Sequence, residues 1–118
     1  MSSAISSFRG DVRAITRDTN SANYHHTDAE IDLFTVDAIR HMRSVRPESR
    51  YVDGELTDIT FPTAAAEIAA FAVEFDGRWR LGIVYYAAAR AFETDVTDSV
   101  NRELAAGYFK QADAVFAS

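Results

Sequence analysis

Apolar residues three or four positions apart recur along most of this chain, and their spacing predicts four helices. Ile5, Phe8, Val12 and Ile15 line one face of a first helix from about Ser3 or Ser7 to Thr16, with serines available as caps. The polar stretch "RDTNSANYHH" breaks that pattern. Thr27-Asp28-Ala29-Glu30 then reads as a capping box: the Thr27 hydroxyl accepts from the backbone N–H three residues on, and Glu30 reaches back to the Thr27 N–H. The second helix runs to about Val45. Ile31, Phe34, Ala38, Met42 and Val45 make its main stripe, and Leu33, Val36 and Ile39 widen it. A stripe that wide implies more than one neighbour. Pro47 ends the helix, because the residue before a proline disfavours helical geometry.

The pattern changes over "SRYVDGELTDITFPT". Asp53-Gly54 is a hairpin signal, and Tyr51, Val52, Ile59, Thr60 and Phe61 favour strand. A short hairpin or extended loop is therefore expected from about Arg50 to Phe61, within an insertion of about 48–63. The next stretch, "AAAEIAAFAVEF", carries both signals: its alanines favour helix, while Phe71, Val73 and Phe75 alternate as in a strand.

A third helix is expected from roughly Gly77 to Thr94, capped by Asp76. Between Leu81 and Phe92 only Arg90 is charged. Gly82 costs about 1 kcal/mol relative to alanine there, but with Ala87, Ala88, Ala89 and Ala91 it offers a thin surface for close packing. A helix apolar on nearly every side sits at a bundle centre or is partly covered by another subunit. Coverage by another chain is expected here, because three partners in so small a domain can hardly enclose it. "ETDVTDSV" forms a corner, its acids (Glu93, Asp95, Asp98) lying where one helix ends and the next begins. The fourth helix runs from about Ser99 to Ala117 and stays amphipathic to its end. Ile31, Phe34, Leu81, Val84, Tyr85, Ala88, Leu104 and Tyr108 are the expected core. The reading is of one mainly α domain over 1–118, a small bundle of four to five helices with a short β-hairpin or extended loop insertion.

Composition narrows the chemistry. The chain of 118 residues is long enough to bury a core without staples, and it has no cysteine, so disulfides, thiolate zinc sites and a cysteine nucleophile are excluded. The net charge of -6 is opposite to that of a generic nucleic-acid binder. Eleven arginines stand against one lysine, Lys110, a bias that suits planar contacts at interfaces and equally a high-GC genome. No stretch has the length of a membrane span, and "MSSAISSFRGDVR" does not read as a secretory signal. His25-His26 with His41 fits no metal-ligand spacing, and the pair reads as part of a solvated loop. Asp28, Asp32 and Asp37 precede Arg40, Arg43 and Arg46 on one helix, the arrangement that complements the helix dipole. Neither a nucleophile elbow nor a phosphate loop is present. The Tyr85-Tyr86 pair reads as core or interface, and Trp79 as an anchor.

The pattern as a whole resembles the head–tail connector, or adaptor, proteins of tailed bacteriophages. The residues that carry the resemblance are the capped helix opening "TDAEI" and closing on Arg46-Pro47, the variable loop after it, the helix with "YYAAARAFETD", the acidic turn, and the last helix with "NRELAAGYF". It covers the chain from about Phe8 to Phe116. It implies a virion structural protein with no catalytic residues, cofactor or metal. Family members form a ring, commonly of twelve copies, beneath the portal protein, extending the DNA channel and receiving the next neck or tail component. The implied location is the head–tail junction of the virion, and the host cytoplasm during assembly. An acidic lumen would let duplex DNA slide without specific binding. Portal docking is then expected in the C-terminal segment, through Tyr108, Phe109, Val115 and Phe116, with deletion of Asp113 to Ser118 expected to spare the fold. The insertion, with Arg50, Tyr51, Asp53, Glu55 and Asp58, would face a neighbouring subunit or the channel. The alternative reading is a small helical regulatory or antitoxin-like binding module, which would need a basic face. An enzyme or ligand-binding bundle would need a deep polar pocket.

Overall fold

The helix that is apolar on nearly every side lies at the centre. The structure, a computed structural model, describes residues 2–17, 26–52, 55–56, 59–94 and 99–117. It is mainly α. Chain order gives β1 (Ser2–Ala4), a 3-10 turn (Ile5–Phe8), α1 (Arg9–Thr16), α2 (Asp28–Val45), a second 3-10 turn (Pro47–Arg50), β2 (Tyr51–Val52) and β3 (Glu55–Leu56). There follow α3 (Ala65–Ala70), β4 (Ala72–Glu74), a third 3-10 turn (Gly77–Trp79), α4 (Arg80–Glu93) and α5 (Ser99–Ala117).

The first helix is shorter than its apolar spacing suggests. Its opening residues form β1, which pairs antiparallel with β4, Ser3 opposite Val73 and Ala4 opposite Ala72. The Ile5 N–H extends the pairing to the Phe71 carbonyl at 3.0 Å. Serine does not cap α1; the Ser7 hydroxyl donates to the Ala4 carbonyl instead, at 2.6 Å. The apolar face survives this change of backbone, since Ile5, Phe8 and Val12 are all buried. Arg17 closes α1 in the left-handed region, at φ 59°, with its N–H on the Arg13 carbonyl.

α2 follows the sequence closely. The Glu30 N–H donates to the Thr27 hydroxyl at 3.2 Å and the Thr27 N–H to the Glu30 carboxylate at 3.3 Å, which completes the capping box. Arg46, forced out of helical geometry before Pro47, ends the helix. β2 and β3 then pair antiparallel, Tyr51 opposite Leu56 and Val52 opposite Glu55. The stretch with two signals forms both elements: a short helix burying Ile68, then, after Phe71 turns extended, a strand burying Val73. Asp76 caps the 3-10 turn before α4, accepting from the Arg78 N–H at 3.1 Å, and Trp79 is buried as an anchor.

α4 packs against α1, α2 and α5. Gly82, Ile83, Val84, Ala87, Ala88, Ala89 and Ala91 are all buried within the one chain. Three partners bury most of this helix, because its residues are small enough to let all three approach closely, and the surface left for the expected second chain is at Leu81. Four of the expected core residues, Ile31, Phe34, Val84 and Ala88, are buried. Leu81 and Leu104 are not; they are 50% and 37% exposed. Tyr85 and Tyr108 are half-buried and stack with their ring centres 5.7 Å apart. Leu81 lines an open groove between α1 and the start of α4, and Leu104 lies on the side of α5 away from the buried Ala105, Ala112 and Phe116.

Candidate assembly surface

The joint between α1 and α2 is polar. Arg9 and Arg13 stand four residues apart on α1, and Asp28 and Asp32 four apart on α2. Like charges at that spacing repel along their own helix, so each pair gains from facing the other. Arg9 holds the buried Asp32 carboxylate with two bonds, 2.9 Å from Nε and 2.5 Å from Nη2. Arg13 reaches Asp28 at 2.6 Å and the His26 carbonyl at 3.1 Å. The Asp32 hydrogen bond raises the pKa of Arg9 above its ordinary value, which fixes its charge. Other arginines also bind within the chain. Arg80 lies over the Phe8 ring and reaches Asp11 at 3.1 Å. Arg90 bridges Glu93 at 2.6 Å and Asp37 at 3.4 Å. Arg46 donates to the Phe116 carbonyl. The arginine bias thus has an internal use, and the acids of α2 do more than complement a dipole.

His26 is not solvated. It is buried, with Nδ1 3.2 Å from Glu30, Nε2 3.2 Å from the Ala91 carbonyl and its ring edge-on to Phe34. It therefore ties the start of α2 to the end of α4. The hydrogen bond from His26 is the main cause that holds the Glu30 carboxyl below the usual range. His41 lies elsewhere, stacked on Tyr86 and 2.8 Å from Asp113. His25, Asp95 and Asp98 lie outside the described residues. Among the described residues no three His, Asp or Glu side chains are grouped as metal ligands, and no helix is long and apolar enough to cross a membrane.

The joint between α4 and α5 is built by shape. Gly82 gives Phe116 its place: a Cβ at residue 82 would stand 2.5 Å from the Phe116 ring. Tyr108 lies between Tyr85 and Phe92, its ring 5.7 and 5.8 Å from theirs, and Phe109 meets Tyr86 edge-on at 5.1 Å. This arrangement removes Phe116 from the expected docking set. Phe116 is 1% exposed and belongs to the subunit core. Tyr108, Phe109 and Val115 are half-buried. Deleting Asp113 to Ser118 would remove Phe116 and the His41 partner together. Of the insertion residues, Arg50 lies in the second 3-10 turn, Tyr51 in β2 and Glu55 in β3; Asp53 and Asp58 lie outside the described residues.

Two surfaces remain that the spacing did not single out. One is the outer face of α5, where Val100 is 56% exposed and Leu104 follows one turn later. The other is a groove of about 450 Å³ between α1 and the start of α4. Ala14, Ile15, Leu81 and Val84 form its apolar lining, and Asp11, Arg78 and Arg80 its polar rim. Arg80 is already paired with Asp11, and Arg78 with Asp76 at 3.2 Å. The groove therefore offers contact area with a charged edge. Compared with family models, curated proteins and solved structures, the chain finds no match.

Proposed function

We propose that this protein is a head–tail adaptor of a tailed bacteriophage, a structural subunit that forms a ring beneath the portal protein and extends the DNA channel toward the next neck or tail component. The observation that carries the reading is the order of elements: a short first helix, the Thr27-capped α2 stopped at Pro47, a β-hairpin, and the antiparallel α4–α5 pair with "YYAAARAFETD" and "NRELAAGYF". The charge of -6 supports it, since an acidic lumen releases duplex DNA where a basic one would hold it. The arginine pairings support it too, because Arg9, Arg80 and Arg90 spend their charge on acids of the same chain. A regulatory module reading DNA would need such cations on an open face.

With Phe116 in the core, portal contact falls to the half-buried Tyr108, Phe109 and Val115 and to the β2–β3 hairpin. The deciding experiment adds the purified chain to portal rings, or to DNA-filled heads from the same genome, and images the portal vertex by cryo-electron microscopy. A ring of added density below the portal is expected; bare portals at saturating protein would overturn the reading. Fluorescence anisotropy with a labelled duplex should show no binding at physiological salt. Binding that weakens steeply with added salt would mark a regulator instead.

A further inference from the structure

Among the described residues three glycines lie in α-helices, Gly10 in the first turn of α1, Gly82 inside α4 and Gly107 inside α5, and the two interior ones can be compared directly. Gly82 is required by its own fold, because Phe116 fills the space a Cβ would take. Gly107, in the middle of α5, is different. A Cβ there would meet nothing within 4 Å, its φ is not positive, and it is exposed. Glycine destabilises a helix interior relative to alanine, and nothing within the described chain offsets that loss. A backbone or side chain approaching from outside would.

Helical spacing puts Gly107 on the same outer face as Val100 and Leu104, at i, i+4 and i+7. Glu103 flanks this face. It is exposed and forms no ion pair among the described residues. The groove between α1 and α4 has the opposite character, with an apolar lining, Leu81 half exposed within it, and Arg78 at its rim. The Arg78 side chain is 60% exposed despite its contact with Asp76. A helix face with Val100 and Leu104 one turn apart, a glycine a turn further on and an acid beside them fits a groove of that shape and charge.

We infer that the outer face of α5 in one copy docks in the α1–α4 groove of the next, with Leu104 against Leu81, Gly107 at the closest approach, and Glu103 toward Arg78. The two surfaces differ, so the contact is heterologous, and repeated contacts of that kind close into a ring when the rotation allows. The contact is small for a specific interface, so isolated subunits associate weakly and the portal gathers them. It names the lateral surface of the proposed ring and rests on that reading for its closure alone.

The absence of cysteine makes the test direct. Leu81→Cys and Leu104→Cys are made separately in the full chain, then mixed under mild oxidation. A mixed disulfide dimer is expected from the mixture, with neither variant dimerising alone. A Leu104→Cys homodimer would mean a two-fold contact through α5 and overturn the inference, as would the absence of any mixed dimer. Gly107→Ala separates folding from docking: it should raise the thermal midpoint yet weaken association about five- to a hundredfold, the effect of forcing one methyl into a close-packed contact. Unchanged association in that variant would sink the proposal. Glu103→Arg should weaken the contact, and Arg78→Glu in the partner variant should restore it. These results are independent of the portal experiment. A missing mixed dimer with a ring still on the portal refutes only this contact, and a mixed dimer without portal binding refutes only the adaptor reading.

Discussion

The two joints of the bundle hold by different means. α1 meets α2 through a ladder of opposite charges, with the Arg9–Asp32 pair at its buried end. α5 meets α4 through a phenylalanine seated on a glycine and three stacked rings. A buried ion pair costs much to desolvate and adds little net stability over an apolar pair, but losing one partner is severe. Close packing gives net stability and tolerates no change of volume. The first joint therefore fixes which residues face each other, and the second supplies more of the holding energy.

The largest expected effect is at the packed joint. Phe116→Ala should cost about 3–5 kcal/mol, as for other buried aromatic truncations, read as a shifted midpoint in urea. A loss below about 1 kcal/mol would mean that α5 does not depend on Gly82. Asp32→Ala should come next, at about 3 kcal/mol or less, since Arg9 loses both bonds to a buried carboxylate and keeps only the looser pairing with Asp28, at 3.6 Å. The double variant Arg9→Met, Asp32→Leu sharpens the contrast: it should recover most of that stability, whereas no second change at Gly82 can replace Phe116. If the double variant stays as unstable as the single one, the ladder contributes net energy and the two joints are alike.

A smaller effect separates the joints by pH. Glu30 sits below the ordinary carboxylate range because of His26. Such a group contributes stability that is present above its unfolded value, about 4.3, and is lost as the pH falls through the lower folded value. Glu30→Gln should flatten the fall in stability below about pH 4 and change little at neutrality, because the group is half exposed. Acid denaturation followed by circular dichroism for both forms tests this; parallel curves would remove His26 as the cause. The smallest effect is at Leu104. Leu104→Asp should change stability by about 0.5 kcal/mol or less, as at other exposed sites.

That last expectation reverses what the apolar spacing of α5 suggests, and the reason is physical. Periodicity shows that a face is apolar, not what covers it. α4 is apolar through a wide arc, so α1, α2 and α5 could share it in several ways, and only their actual directions leave Leu81 outside. Local signals were legible: the Thr27–Glu30 box, the stop at Pro47 and the span of α5 all follow from neighbours a few residues away. The β1 strand was not legible, because its partner is β4, far along the chain, and Ser2–Ala4 has no strand propensity of its own. Asp32 could have been found. Acids at 28 and 32 opposite arginines at 9 and 13 share one spacing, and that match marks the two helices as neighbours.

The pairing of β1 with β4 also has a consequence in time. Ser2 lies opposite Glu74, so this short sheet closes a loop of about seventy residues, whose ordering entropy must be met before the sheet returns anything. α1 and α2 are brought together by the charge ladder and α2 needs only its own cap, so both can precede it. The sheet is then expected to form late and to open first, while the helices around α4 stay folded. Amide exchange at Ile5, whose N–H donates to the Phe71 carbonyl, and at Val73 should be faster than at Ile83 or Ala87, and a residue inserted between β1 and α1 should slow folding without lowering the protection of α4.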